Sequence, residues 1–205
     1  MLDLKSRIPY SKDMLKNIQS ALFIGRFQPF HNGHLDVIKQ ILQKNERVII
    51  VIGSAEKNYL PDNPLTAGER FDLIDKALKE AKIPAEKYCI VPVRNVNNYA
   101  IWVNHINTYV PPYTKIYTGS KIVKACYNAK YNKAYSAKSG PEIIHVKRNK
   151  IKISATKIRE AILKGKKWEQ MVSPIVSETL KKWQISSRLA DIKETMDFTR
   201  YNNEY

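Results

Sequence analysis

The sequence predicts an α/β protein with a doubly wound parallel sheet and helices on both of its faces. Two observations carry this prediction. Short apolar runs alternate with segments of helical periodicity along most of the chain. In addition, residues 47–53 (RVIIVIG) form a β-branched run that is typical of strands buried on both sides of a parallel sheet. Ligands of such sheets bind outside the carboxyl ends of the strands, so we expect the functional residues in the loops that follow them.

The first half of the chain is predicted to contain three strands and two helices. The first helix follows from Leu35, Ile38 and Ile41, which recur at helical spacing. The second helix follows from Thr66 and Glu69, whose spacing is that of a capping box, in which each side chain satisfies a free backbone donor. The predicted elements are a strand at 21–25, a helix at 34–44, a strand at 47–53, a helix from 66 to 81 and a strand at 88–93.

The second half continues the same alternation up to two polar flanks. Its predicted elements are a helix at 101–109, a strand at 115–118, a candidate fifth strand at 142–146, and helices at 154–164 and 173–183. The flanks are predicted to be short helices or loose tails. The predicted domains are therefore an N-terminal extension at 1–20, a central domain at 21–183, and a C-terminal tail or helix at 184–205.

Composition is typical of a globular cytoplasmic protein. Hydrophobic residues make up 43% of the chain and charged residues 26%, so neither disorder nor a fibrous repeat is indicated. No apolar run approaches the ~20 residues that a membrane-spanning helix needs, and the first 20 residues do not resemble a signal peptide. Cys89 and Cys126 are too few for a disulfide framework and have no metal-ligand spacing, so we expect buried thiols.

Positive charge is concentrated in one part of the chain. The net charge is +16, and residues 121–182 alone hold 16 basic and 4 acidic side chains. Such a surplus attracts polyphosphates or nucleic acid. Within it, Tyr127, Tyr131 and Tyr135 recur at helical spacing among lysines, which fits either a surface that binds single-stranded nucleic acid or a helix that buries its tyrosines. We favour the buried stripe, keep nucleic-acid binding as an alternative, and leave the role of residues 124–152 open.

A first candidate phosphate site lies in residues 25–34 (GRFQPFHNGH), between the first strand and the first helix. Its two glycines allow close backbone approach, and the helix beginning near Gly33 offers unpaired N–H groups to an anion. Two histidines three residues apart could instead bind zinc, but the sequence has no third ligand of suitable type nearby. The side chains predicted to donate to the anion are Arg26, His31 and His34.

A second candidate phosphate site lies in residues 153–159 (ISATKIR), again where a strand-like segment meets a helix. Ser154 is placed to cap that helix, with Thr156, Lys157 and Arg159 in or next to its first turn. Cations at a helix N-terminus are unfavourable unless an anion is bound, which favours a functional interpretation. The alternative is a basic, solvated helix face with an ordinary cap.

The combination of His-x-Gly-His with a distant Ile-Ser-x-Thr-x-x-Arg resembles the nucleotidylyltransferase superfamily. Within it, the chain is similar to archaeal-type nicotinamide-nucleotide adenylyltransferases over about residues 21–183. The segments that carry this likeness are GRFQPFHNGH at 25–34, Gly53-Ser54-Ala55, NPLTAGER at 63–70, AIWV at 100–103, Pro111-Pro112-Tyr113 and GKKWE at 165–169.

That family makes NAD and pyrophosphate from ATP and nicotinamide mononucleotide with Mg²⁺, in a Rossmann-like fold that commonly forms homo-oligomers. The resemblance implies the same activity here, with no metal ligand from protein side chains. The implied catalytic residues are Arg26, His31, His34 and Arg159. The residues implied to bind ATP and its phosphates are Gly25, Phe27, Gly53, Ser54, Gly119, Ser120, Ser154, Thr156 and Lys157. The residues implied to bind the acceptor are Asn95 and Trp102. Trp102 would stack on the nicotinamide ring or, alternatively, pack in the core.

Other functions fit the same motifs. Adenylyl or cytidylyl transfer to a different phosphorylated acceptor, such as phosphopantetheine or FMN, would use the same two phosphate sites, and a basic nucleic-acid-binding module could share the fold. The NPLTAGER and AIWV segments favour the nicotinamide branch. A phosphate monoester has a second pKa of about 6, so it is already an anionic nucleophile at neutral pH and no general base is expected.

Overall fold

The computed structural model describes residues 19–131, 140–146 and 153–203. Among these residues, five strands form one sheet in the order β3-β2-β1-β4-β5, and every neighbouring pair is parallel. The chain builds outward from β1 to β3 and then crosses to the other side of β1. The predicted doubly wound, Rossmann-like sheet is therefore confirmed, with its switch point between β1 and β4. The strands are β1 Ser20–Gly25, β2 Arg47–Ile52, β3 Tyr88–Pro92, β4 Lys115–Thr118 and β5 Glu142–His145.

Helices cover both faces of the sheet. Alternate residues of each strand point to opposite faces, so Leu22 belongs to one hydrophobic cluster and Phe23 to the other. All five residues from Val48 to Ile52 are fully buried, which confirms the central strand that the β-branched run predicts. The described helices are α1 Asn32–Leu42, α2 Ala67–Glu80, α3 Tyr99–Tyr109, α4 Lys121–Tyr131, α5 Ala155–Leu163, α6 Pro174–Lys182 and α7 Ile185–Asn203, with short 3₁₀ turns at Ala85–Lys87 and Glu169–Met171.

The last helix packs against the central part of the chain. Ile185 and Leu189 of α7 are buried in the same cluster as Phe23. Arg188 donates to both carboxylate oxygens of Glu69 at 2.8 and 2.9 Å. Because Glu69 also closes the capping box of α2, α7 is tied to the start of that helix. No helix in the described part of the chain is both long and apolar enough to cross a membrane.

The tyrosines of α4 pack inward rather than forming an exposed stripe. Tyr127 is 1% exposed, its ring stacks on that of Tyr131 at 6.2 Å, and its hydroxyl lies 2.7 Å from that of Tyr113. The interpretation of a buried stripe is thus confirmed for Tyr127, whereas Tyr135 lies outside the described residues. Cys126 is buried as expected, but Cys89 is only half-buried.

Candidate active site

The carboxyl ends of the strands open into one cleft of about 1300 Å³. A pocket for one drug-sized ligand measures roughly 300–1,000 Å³, so this cleft has room for two ligands side by side. The structure brings every predicted site residue to its wall, although their individual roles stay predictions. These residues are Gly25, Arg26, Phe27, His31, His34, Gly53, Ser54, Asn95, Trp102, Gly119, Ser120, Ser154, Thr156, Lys157 and Arg159.

The two histidines lie face to face at the start of α1. His31 is the N-cap residue, with an extended backbone, and His34 lies in the first turn. Their rings stack with centroids 3.6 Å apart and an angle of 20°. A Cβ atom at Gly33 would come within 3.2 Å of the His31 ring, so a side chain there would crowd the ring. The helix begins two residues earlier than predicted, which places both imidazoles at its N-terminal end.

Phe27 packs against the turn that carries the two histidines. Its backbone is left-handed, with φ of 53°, and its ring is 1% exposed and makes an edge contact with His34 at 4.8 Å. A Cβ atom at Gly25 would meet the Phe27 ring at 2.8 Å. The sequence predicts that Gly25 allows a phosphate to approach the backbone closely. In the structure it is the Phe27 ring that excludes any side chain there.

Arg70 holds the loops after β1 and β2 together, and sequence reasoning missed it. Its guanidinium is fully buried and donates to the backbone oxygens of Arg26 at 3.1 Å and Gly53 at 2.9 Å. Burial lowers the pKa of Arg70 to about 10, so it stays charged at neutral pH. A cation on the buried face of α2 is the signal that could have revealed it. Its further acceptors, at 3.1 to 3.4 Å, are the backbone oxygens of Ser54, Ala55, Lys57 and Thr66.

Arg159 joins the two predicted phosphate sites. Although it belongs to α5, its Nη1 donates to the backbone oxygen of Gln28 at 2.8 Å, and its Nη2 donates to Asp62 at 2.9 Å. The side-chain amide of Gln28 in turn exchanges two hydrogen bonds with the backbone of Leu65. Burial lowers the pKa of Arg159, while Asp62 acts in the opposite direction. The turns at residues 25–34 and 153–159 therefore form one structure.

The start of α5 has the predicted cap. The Ser154 hydroxyl accepts from the backbone N–H of Lys157 at 3.3 Å. Thr156 and Lys157 are exposed at the cleft, and the first turn contains no acidic residue. An anion bound here would be favoured by the helix dipole and would relieve the unfavourable placement of the cation.

The opposite end of the cleft is aromatic and apolar. Trp102 of α3 is half-buried, lines the cleft and makes an edge contact with Tyr127 at 6.4 Å. Its two predicted roles, stacking on the acceptor ring and packing in the core, stay predictions. The backbone N–H of Asn95 donates to Glu56 at 3.0 Å. Ser120 accepts from Val123 at the start of α4, between this end and the phosphate sites. Further residues that line the cleft are Arg94, Tyr99, Ile106, Ile122, Val123 and Cys126.

The charges around the cleft favour an anionic ligand. The arginines and lysine on its wall are Arg26, Arg94, Lys157 and Arg159, whereas Asp36 is the one carboxylate among its described lining residues. Over the described residues, no group of three or more His, Cys, Asp or Glu side chains could hold a metal ion. The zinc interpretation of the two histidines therefore has no third ligand in this part of the chain.

Comparisons with known proteins agree with this geometry. Residues 22–161 match the cytidylyltransferase-like family. The nicotinamide-nucleotide adenylyltransferase of Picrophilus torridus is 37% identical over 175 residues, which cover 85% of this chain and 98% of the relative. The corresponding protein of Archaeoglobus fulgidus is 36% identical over 176 residues, covering 84% and 96%.

Solved structures share the fold at lower identity. A bifunctional NMN adenylyltransferase/ADP ribose pyrophosphatase from Francisella tularensis, complexed with AMP and a manganese ion, has a TM-score of 0.71 at 23% identity. The match covers 92% of this chain but only 56% of that longer protein. The Plasmodium falciparum nicotinic acid mononucleotide adenylyltransferase has a TM-score of 0.60 at 13% identity, covering 83% and 98%. The chain belongs to the cytidylyltransferase-like family and, within it, to the nicotinamide-nucleotide adenylyltransferases.

Proposed function

We propose that the protein transfers AMP from ATP to nicotinamide mononucleotide and so produces NAD and pyrophosphate. The observation that carries this proposal is the hydrogen bond of 2.8 Å between Arg159 and the backbone oxygen of Gln28. It joins two cationic turns, distant in sequence, at one cleft with room for two nucleotides. The archaeal relatives, which match almost along their whole length, bear the name of this activity.

The reaction is an in-line displacement at the α-phosphorus of ATP. A phosphate oxygen of the acceptor forms the new P–O bond, the bond between the α-phosphorus and the bridging oxygen breaks, and pyrophosphate leaves with the electron pair. The acceptor phosphate is already ionised at neutral pH, so the step requires no proton transfer. What the protein supplies is positioning and charge stabilisation.

In the proposal, the turns at residues 25–34 and 153–159 stabilise different parts of the triphosphate. Arg26, His31 and His34 donate to the oxygens of the transferring group as charge develops on them. Ser154, Thr156 and Lys157 bind the departing pyrophosphate at the N-terminus of α5. Arg159 lies between the two sets. Arg70 acts through the backbone that it fixes, since its contacts hold Arg26 and Gly53 in place.

The aromatic end of the cleft is proposed to bind the acceptor ring. Trp102 offers a flat apolar surface whose orientation is fixed by its edge contact with Tyr127. Asn95 lies nearby, with its backbone fixed by Glu56. A flat heteroaromatic ring is a good partner for such a surface.

Magnesium is the proposed metal ion. Mg²⁺ is usually bound by substrate phosphates with one or two carboxylates, and does not require a complete protein cage. The cleft fits that arrangement, because Asp36 supplies a carboxylate on its wall. The resemblance implies no side-chain ligand; we add Asp36 as the one side chain that would hold the ion, which when bound would neutralise charge on the phosphates.

The direct test is incubation of the purified protein with ATP, Mg²⁺ and nicotinamide mononucleotide, followed by enzymatic detection of NAD. Parallel reactions with phosphopantetheine or FMN, and with CTP in place of ATP, measure competing activities by pyrophosphate release. NAD formation at a rate above all other pairs supports the proposal. Turnover confined to another acceptor contradicts it, as does salt-sensitive nucleic-acid binding without any turnover.

Assembly and location are proposed from the family resemblance and the composition. A homo-oligomer follows from the family resemblance alone, and size-exclusion chromatography with light scattering measures it. A cytoplasmic location follows from the composition, and a fluorescent fusion would test it.

A further inference from the structure

Asp62 and Arg159 form an ion pair at the edge of the phosphate site. The distance from Nη2 to Oδ1 is 2.9 Å, and the two side chains differ greatly in exposure: that of Arg159 is 7% exposed and that of Asp62 is 70% exposed. Arg159 is further fixed by its bond to the Gln28 backbone. The arginine is therefore held in place, whereas the carboxylate can rotate into water at little cost.

The backbone that carries Asp62 is itself well fixed. Leu60 and Asn63 exchange backbone hydrogen bonds of 3.2 and 2.9 Å across the turn that contains Asp62. Leu65, just beyond, is bonded to Gln28 in both directions. The carboxylate is thus kept within reach of Arg159 without being part of the cleft wall itself.

The surroundings of Arg159 explain why a counter-charge is useful. Its guanidinium is buried close to a second arginine, Arg26, and both effects lower its pKa, while Asp62 raises it. A bound polyphosphate would satisfy the same guanidinium from the cleft side. Asp62 and the ligand are then alternative partners of one cation, and two negative charges close to that cation repel each other.

We infer that Asp62 is a positioning residue that acts as a stand-in anion for Arg159. It keeps the guanidinium ordered while the cleft is empty. When ATP or pyrophosphate binds, the phosphates replace Asp62 as the partner of Arg159. Its negative charge therefore weakens polyphosphate binding and favours release of the pyrophosphate product. This inference rests on the proposed function.

Asp62→Asn tests the effect of the negative charge while the shape of the side chain stays nearly the same. The asparagine keeps a side-chain oxygen that can accept from Arg159 and removes the negative charge. Asp72→Asn is a matched control, because Asp72 also carries a partly exposed carboxylate in an ion pair, with Lys76 at 2.7 Å, but its partner Lys76, unlike Arg159, does not line the cleft. Thermal unfolding of all three proteins shows whether folding is preserved.

The measurement is calorimetric titration of the protein with inorganic pyrophosphate, and separately with ATP. We expect Asp62→Asn to bind pyrophosphate about two- to fivefold more tightly than the wild type, from the usual size of exposed charge interactions, and Asp72→Asn to bind like the wild type. Added KCl should reduce the difference in pyrophosphate affinity between Asp62→Asn and the wild type, because salt screens exposed charges. In the NAD assay, pyrophosphate should inhibit Asp62→Asn at correspondingly lower concentration.

Equal or weaker binding of pyrophosphate by Asp62→Asn overturns the inference, whether or not the Tm changes. If the wild type binds neither pyrophosphate nor ATP, the proposed function and the inference fail together. If pyrophosphate binding behaves as expected but no NAD forms, the role of Asp62 stands and only the acceptor assignment fails.

Discussion

Replacing Arg70 by lysine should weaken the whole phosphate site from a distance. The guanidinium makes contacts to six backbone oxygens from a fully buried position. A lysine keeps the charge but offers three donors from a single point instead of five in a planar fork. About two to three hydrogen bonds are lost at about 1 kcal/mol each, so the free energy of unfolding should fall by about 2–3 kcal/mol. For a chain of this size, the Tm should fall by roughly 5–10 °C.

Activity should fall as well, because the loops after β1 and β2 lose their common anchor. We expect kcat/KM for ATP to drop at least about tenfold, since small displacements of positioned groups are costly in transfer reactions. The assay is NAD formation well below the lower Tm, with unfolding followed by circular dichroism. Arg188→Lys is the control, because it disturbs the partly buried ion pair of an arginine with Glu69 away from the cleft. Loss of stability with unchanged kcat/KM in Arg70→Lys would refute the positioning role.

Three further predictions concern the cleft and its surroundings. His34→Ala should lower kcat by about a hundredfold to a thousandfold, as for the loss of an oxyanion donor, and an unchanged kcat would remove His34 from the mechanism. Trp102→Ala should raise the KM for nicotinamide mononucleotide by about fivefold, from about 1 kcal/mol of lost stacking, with the KM for ATP nearly constant; equal changes in both would contradict the proposed ring site. Burial raises the pKa of Tyr113 from 10 to about 12, so the unfolded chain loses this proton first. Stability present below pH 10 should therefore decline between pH 10 and 12 in urea titrations, and less steeply in Tyr113→Phe.

The sequence predicts the parts of this structure that depend on local pattern. The β-branched run that forms β2 and the capping box of Thr66 and Glu69 are both found as expected. The cap of α5 by Ser154 is likewise formed. Each of these depends on residues close in the chain, where spacing alone fixes which groups can meet.

Contacts between distant segments could not be predicted in the same way. Arg70 stands in a segment that the family resemblance singles out, but its spacing does not show that it reaches the carbonyls of two other loops. The pairing of Asp62 with Arg159 spans 97 residues and depends on where the loop before α2 lies over α5. The packing of the Phe27 ring against Gly25 could not be predicted either, because the left-handed backbone of Phe27 is not encoded in any recognisable spacing.

The most direct test of the account is a crystal structure of the protein with a non-hydrolysable ATP analogue. We expect one triphosphate to contact both the turn with His34 and the start of α5 with Ser154 and Lys157. A triphosphate that touches only one of these turns, or that binds outside the cleft, would contradict it.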